Sequence, residues 1–199
     1  MAYKLWHLSK FTRLNYNGQY MKSLVMFVML SVMCIGCERS SFDVNNPDVE
    51  EFVKQLKNGT YDRYEWTEDG ERLWTIMPSF SKEDVPALIS LSEDTDLVTP
   101  CHHFPVNPVS SMWPYRVVDG KDCIMLGEYL LWCAEAVLEG RDFASLNPVL
   151  INVNDNPVHR LSGTEILSVR EIYQNWWDQN GHLADPDTLP LDGTGYQWH

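Results

Sequence analysis

Cys101-His102-His103 is where residue types that hold a transition metal stand together, since thiolate and imidazole suit zinc or copper. Three adjacent side chains cannot easily turn to one ion, and the spaced partner pair of a zinc site is missing. The triplet reads as a polar loop, and no cofactor is expected. His159, His182 and His199 are too scattered to complete it. Asn152-Val-Asn154-Asp155-Asn156 alternates oxygens like a calcium loop, but Pro157 stands where such a loop needs Gly, and Gly163 where it needs a bidentate Glu. Glu93-Asp94-Thr95-Asp96 reads as a solvated acidic surface. Glu128, Glu135 and Glu139 recur at near-helical spacing and could supply paired carboxylates for acid–base work. On so apolar a segment they are more simply the exposed side of an amphipathic helix. No nucleophile elbow, phosphate-binding glycine loop or zinc-protease helix is present. The aromatic residues offer another kind of chemistry: Trp113 with Tyr115, and Tyr196 with Trp198, could stack on sugar faces or on a protein partner.

Helices must position most of these residues. Asn46-Pro47-Asp48 is a helix start, and Val49, Phe52, Val53 and Leu56 follow at helical spacing until Gly59. Tyr61 to Met77, turning at Asp69-Gly70, predicts a small β-hairpin. Ser81 with Asp84 resembles a capping box ahead of Val85, Leu88 and Ile89, although Pro86 weakens a helix there. Glu93 to Gly120 carries Pro100, Pro105, Pro108 and Pro114 and should be a long, irregular but ordered loop. Asp122 to Glu139 is expected as a central, largely buried helix. Leu146 to Val153 suits either a strand or a short helix. Ser162 and Glu165 form a second capping box, with Leu161 and Ile166 as a hydrophobic staple, opening a helix that runs to Gly181. The tail from His182 to His199 should be irregular, with Leu189, Leu191, Tyr196 and Trp198 pinning it to the surface. The expected fold is mainly α: a single compact domain of about four helices with a small β-hairpin and a long Pro-rich loop.

Met21 to Cys37 places this domain. Lys22 gives a positive start, Leu24 to Met33 an apolar run, and Cys34-Ile35-Gly36-Cys37 a small residue before a cysteine. The run is too short for the roughly 20 residues of a membrane-spanning helix. The pattern resembles a bacterial lipoprotein signal, with cleavage after Gly36 and lipid, including palmitate-type acyl chains, on Cys37; Cys34 stands where that pattern usually has Leu. Several acyl chains make such an anchor stable. The expected organisation is an upstream segment at 1–20, with Met21 as the expected start, then a signal peptide at 21–36. A lipidated Cys37 and tether follow at 37–45, and one globular domain at 46–199.

Removing residues 1–36 takes away Lys4, Lys10, Arg13 and Lys22 and no acid, which moves the net charge from −13 to −17. Such a field repels nucleic acid and anionic membrane surfaces, so nucleic-acid binding is excluded. Cys101, Cys123 and Cys133 remain for the domain, an odd number in an exported chain. Cys123 and Cys133 on one helix would lie roughly 15 Å apart, so an internal disulfide should involve Cys101; three buried thiols are the alternative.

Phe42 to Tyr61, Leu73 to Phe80, Phe104 to Ser111, Leu126 to Trp132 and Glu165 to Trp177 together resemble a family of short uncharacterised Bacteroides-type lipoproteins. The resemblance implies a cell-envelope lipoprotein of a Gram-negative bacterium, anchored by lipid, with the outer membrane as the expected location. It brings no catalytic or binding residue with it. Asp187-Thr188-Leu189 is similar to the O-glycosylation acceptor of exported proteins in that bacterial group, which would make Thr188 a modification site. The expected function is a non-catalytic binding or assembly module whose partners are the membrane, through lipid, and a glycan or an envelope protein. The rivals are an envelope glycan or peptidoglycan hydrolase using Glu128 or Asp122, and a structural subunit of an outer-membrane complex.

Overall fold

Asp48 begins the first helix. In the computed structural model, which describes residues 42–110, 115–155, 157–184 and 186–199, its carboxylate accepts the Glu51 N–H at 2.9 Å. α1 therefore spans Val49–Asn58, two residues later than an Asn46 cap implies. Gly59, at φ 66°, closes it in the left-handed conformation. A hairpin follows, β1 (Tyr64–Trp66) antiparallel to β2 (Arg72–Thr75), as the Asp-Gly turn predicts. Ser81 and Asp84 do form a reciprocal cap, the Asp84 carboxylate accepting the Ser81 N–H at 2.7 Å. A 3-10 turn at Lys82–Asp84 leads into α2 (Val85–Leu91). Pro86 falls in the first turn of α2, where no intrahelical bond is lost.

The architecture mixes α and β, which corrects the mainly helical expectation. Among the described residues there are four α-helices and three small antiparallel sheets. The segment expected to be irregular contains β3 (Leu97–Val98) and β4 (Arg116–Val118). The segment expected to begin a helix begins as β5 (Lys121–Met125). These strands form one sheet in the order β3-β5-β4. Asp119 (φ 52°) and Gly120 (φ 73°) make the tight turn joining β4 to β5, a conformation two-residue hairpin turns favour. β6 (Leu150–Asn152) resolves the ambiguity of its segment, and it pairs with β7 (Tyr196–Trp198) in the tail.

β5 runs directly into α3 (Leu126–Leu138), so one apolar stretch serves as strand and then as helix. No side chain caps α3. The backbone carbonyls of Asp96 and Asp94 instead accept the N–H groups of Leu126 and Gly127, at 3.1 and 2.7 Å. Eleven of its 13 residues are buried. Glu128 is fully buried and Glu135 only 5% exposed, so these two are not the exposed side of an amphipathic helix. α4 (Gly163–Asn180) opens with the expected Ser162–Glu165 box. Around α3, the rings of Phe104 and Trp132 pack against Tyr129 at 4.9 and 5.8 Å. Residues 42–199 form one compact unit with its own core. Among the described residues, no helix is long and apolar enough to cross a membrane.

Candidate ligand-binding cleft

Glu135 on α3 and Glu139, one turn on at the C-cap of α3, line a cleft of about 450 Å³, whose other side is built by the tail. Asp192, Tyr196 and Trp198 come from the tail, and Val153 from the end of β6. The pairing of β6 with β7 holds that second wall, with Leu150 opposite Trp198 and Asn152 opposite Tyr196. Gly195 sits at φ 84°, and a Cβ there would run into the Asn154 side chain. At that φ any β-carbon is strained, so glycine eases the crossing of the tail.

A chain of hydrogen bonds fixes Glu135. The Trp198 indole N–H donates to the Tyr173 hydroxyl at 3.0 Å, and that hydroxyl donates to Glu135 Oε2 at 2.8 Å. Among the described residues nothing donates to the other oxygen, Oε1. Burial pushes the Glu135 carboxyl up to about 7, and the charges of Glu139 and Asp192 act in the same direction. Glu139 Oε2 is shut off from solvent and has no partner among the described residues. Its Oε1 lies 3.4 Å from Arg141 Nη2, and burial again raises its carboxyl above the ordinary range. On the opposite wall, Asp192 Oδ2 accepts the Leu189 N–H at 2.8 Å, which fixes the turn carrying it. Three carboxylates thus line the cleft together with the Tyr196 and Gln197 side chains, which can donate.

A different carboxylate, Glu128, serves the interior. Arg116 and Arg160 each donate to its Oε2, at 2.8 and 3.1 Å, and the Leu150 N–H donates to Oε1 at 2.9 Å. Arg116 also donates to the Leu161 carbonyl at 2.7 Å. This cluster ties β4, α3, β6 and the approach to α4 together.

Asp155, His159 and Glu165 form a convergent trio with ligand atoms all within 4.8 Å of one another. His159 Nδ1 faces Asp155 and its Nε2 faces Glu165, each at 3.3 Å. The ring thus bridges two carboxylates through opposite nitrogens, an arrangement unlike shared coordination of one ion.

The Cys101-His102-His103 side chains diverge. Cys101 is buried, and burial pushes its thiol up to about 11. His102 is exposed, whereas the buried His103 ring lies 2.7 Å from the Leu56 carbonyl through Nε2. Cys101, Cys123 and Cys133 are all buried free thiols. Of the aromatic candidates, Tyr196 and Trp198 meet in the cleft, where Tyr196 is half-buried and Trp198 buried. Tyr115 lies with Asp122 and His102 in a separate groove of about 490 Å³. Trp113 and Cys37 lie outside the described residues. Thr188 is exposed, and its hydroxyl accepts the Trp176 indole N–H at 3.4 Å. Sequence reasoning did not single out Asp192 or Tyr173. The Glu135–Glu139 spacing and the Tyr196–Trp198 pair are the sequence signals that point toward the cleft.

No curated protein and no solved structure matches the chain. Residues 43–199 match the model of a family described as a domain of unknown function (DUF4943), and the chain belongs to that family.

Proposed function

We propose that this protein is a cell-envelope lipoprotein of the short Bacteroides type, anchored through lipid on Cys37, whose domain captures a ligand in the cleft between α3 and the tail. The observation that carries the capture reading is the state of Glu135. It is 5% exposed, held in place by Tyr173, and has one oxygen with no donor among the described residues. Beside it, Glu139 Oε2 is enclosed with no partner among the described residues, which is costly, and a bound molecule that supplies a donor removes the cost. The signal pattern before Cys37 supports the anchor, and the net charge of −13 argues against nucleic acid as the ligand.

Catalysis is the second reading, and one observation favours it: a carboxyl pushed to about 7 suits a general acid. Against it, no carboxylate pair among the described residues stands out as acid and nucleophile: Glu135 and Glu139 stand side by side, and Asp192 on the opposite wall is exposed, with its carboxylate already accepting the Leu189 N–H.

Two experiments test the proposal. Cys37→Ala should release the protein from the membrane fraction and abolish palmitate labelling; unchanged membrane association would end the anchor reading. Thermal unfolding of residues 42–199 against amines, glycans, peptidoglycan fragments, calcium and zinc, with EDTA as control, should give a raised midpoint with one ligand class. That shift should disappear in Glu135→Gln and Glu139→Gln. Turnover of a bound glycan, abolished by Glu135→Gln, would favour the enzyme instead.

A further inference from the structure

We propose that β2 offers its open edge to an extended peptide of another protein, one that carries an apolar side chain beside a lysine or arginine. The groove along that edge shares no lining residue with the cleft between α3 and the tail, so the two sites stand or fall separately.

The main chain gives the first reason. The Ile76 N–H donates to the Arg63 carbonyl and the Thr67 N–H to the Glu71 carbonyl, each at 2.9 Å, which makes the opposed Tyr64 and Thr75 a pair that exchanges no hydrogen bond. The N–H and C=O of Thr75 therefore point away from β1. Ile76 is committed to the β1 side, and its carbonyl accepts the Tyr61 hydroxyl at 2.7 Å. Met77, biased to extended backbone by the proline after it, turns its own N–H and C=O the same way as Thr75. Among the described residues none of these four groups has a hydrogen-bond partner. Thr75 is only 7% exposed, and enclosed main-chain groups are nearly always paired. Pro78, which has no N–H, ends the edge.

The groove gives the second. Thr75 and Met77 line a cavity of about 520 Å³ together with Ala136 and Val137 of α3 and with Phe143, a size usual for ligand sites. An incoming strand brings donors and acceptors in alternation and sets every second side chain against that apolar lining. A sugar carries hydroxyls but no such alternation. Charge sets the rest of the occupant. Glu65 and Asp142 line the same groove, are exposed, and form no ion pair among the described residues, whereas Arg141 lies 3.4 Å from Glu139. The half-exposed Trp74 indole beside them offers a face to the stem and charge of a lysine or arginine. With 28 acids against 15 cations, the whole chain favours the same sign of partner.

Selection of decapeptides from a random displayed library on residues 42–199 supplies the probes, and amide resonances locate them. Selected peptides should share an apolar residue next to Lys or Arg, slow hydrogen exchange at Thr75 and Met77, and leave the amides around Glu135 unmoved. N-methylation along a selected peptide should weaken binding about tenfold at every second position, the mark of a strand held by its main chain. Thr75→Pro removes an N–H that the hairpin does not use and should weaken binding by a similar factor with near-UV circular dichroism unchanged. Glu65→Gln with Asp142→Asn should weaken it several-fold and flatten its salt dependence. The inference falls if no peptide is selected, if selected peptides perturb other surfaces, or if N-methylation is tolerated throughout. It falls equally if chitotriose shifts the groove amides in place of the peptides, or if rising protein concentration alone slows exchange at Thr75 and Met77, which would give the edge to a second copy.

Discussion

A carboxyl that loses its solvent on folding gives up its proton reluctantly, and Glu135 is in that position. Its native value of about 7 lies above the 4.5 of a solvated glutamate. Between those values the native state keeps the proton that the unfolded state has lost, so stability is full below about 4.5 and falls as pH rises through 7. The loss is about 3 kcal/mol. Glu135→Gln can still accept the Tyr173 hydroxyl but has nothing to titrate. Its melting temperature should therefore drop less than that of the parent between pH 5 and pH 8, by roughly 6 °C or more; parallel profiles would place the proton elsewhere. Glu128 shows the opposite solution, a buried carboxylate met by two guanidinium groups. Glu128→Ala leaves the half-buried Arg116 and Arg160 without that anion and should cost about 3 kcal/mol in urea unfolding. Replacing all three with Leu and Met should recover most of that loss. Spacing alone grouped Glu128 and Glu135 with Glu139 as one exposed face. Their partners, Arg160 and Tyr173, lie 32 and 38 residues away in the chain, and no local pattern connects them.

Elements were legible where their signals are local. The Ser162–Glu165 box and the Asp-Gly hairpin turn each use residues within a few positions of one another, and both form as their spacing predicts. The start of α3 had no such mark, because its first N–H groups are satisfied by carbonyls from the loop after α2 rather than by a side chain. The stretch from Asp122 to Glu139 consequently reads as helix from its beginning, where the chain is strand up to Met125. Asp119-Gly120 did carry a hairpin signal, masked by the prolines before it. The close approach at α3 gives the next prediction. Gly127 has the Ser92 carbonyl oxygen where a Cβ would stand, with Asp94 O 3.0 Å from the same point. Gly127→Ala must push backbone away from backbone and should cost about 1 to 3 kcal/mol, despite the better helix propensity of alanine. Chemical denaturation measures it, and a neutral or stabilising result would mean that the loop yields freely.

Across the whole molecule, acids outnumber cations 28 to 15. That imbalance surrounds a cleft which itself lacks cations, and the summed field should draw in cationic ligands from beyond contact range. The association rate of any ligand that carries a positive charge should fall several-fold between about 10 mM and 150 mM salt, as the screening length shrinks from roughly 30 to 8 Å. A rate insensitive to salt would confine the attraction to the cleft walls.

The pairing of β6 with β7 also has a kinetic meaning. The two strands are separated in sequence by the whole of α4, so their ladder is a long loop closure, made late and at an entropic cost that local turns escape. α3 and α4 can dock while the tail is still searching for its register. The molecule then has a helical interior first and a binding wall second. Loss of those few ladder bonds alone would return it to a state in which Glu135 is solvated and the cleft no longer exists.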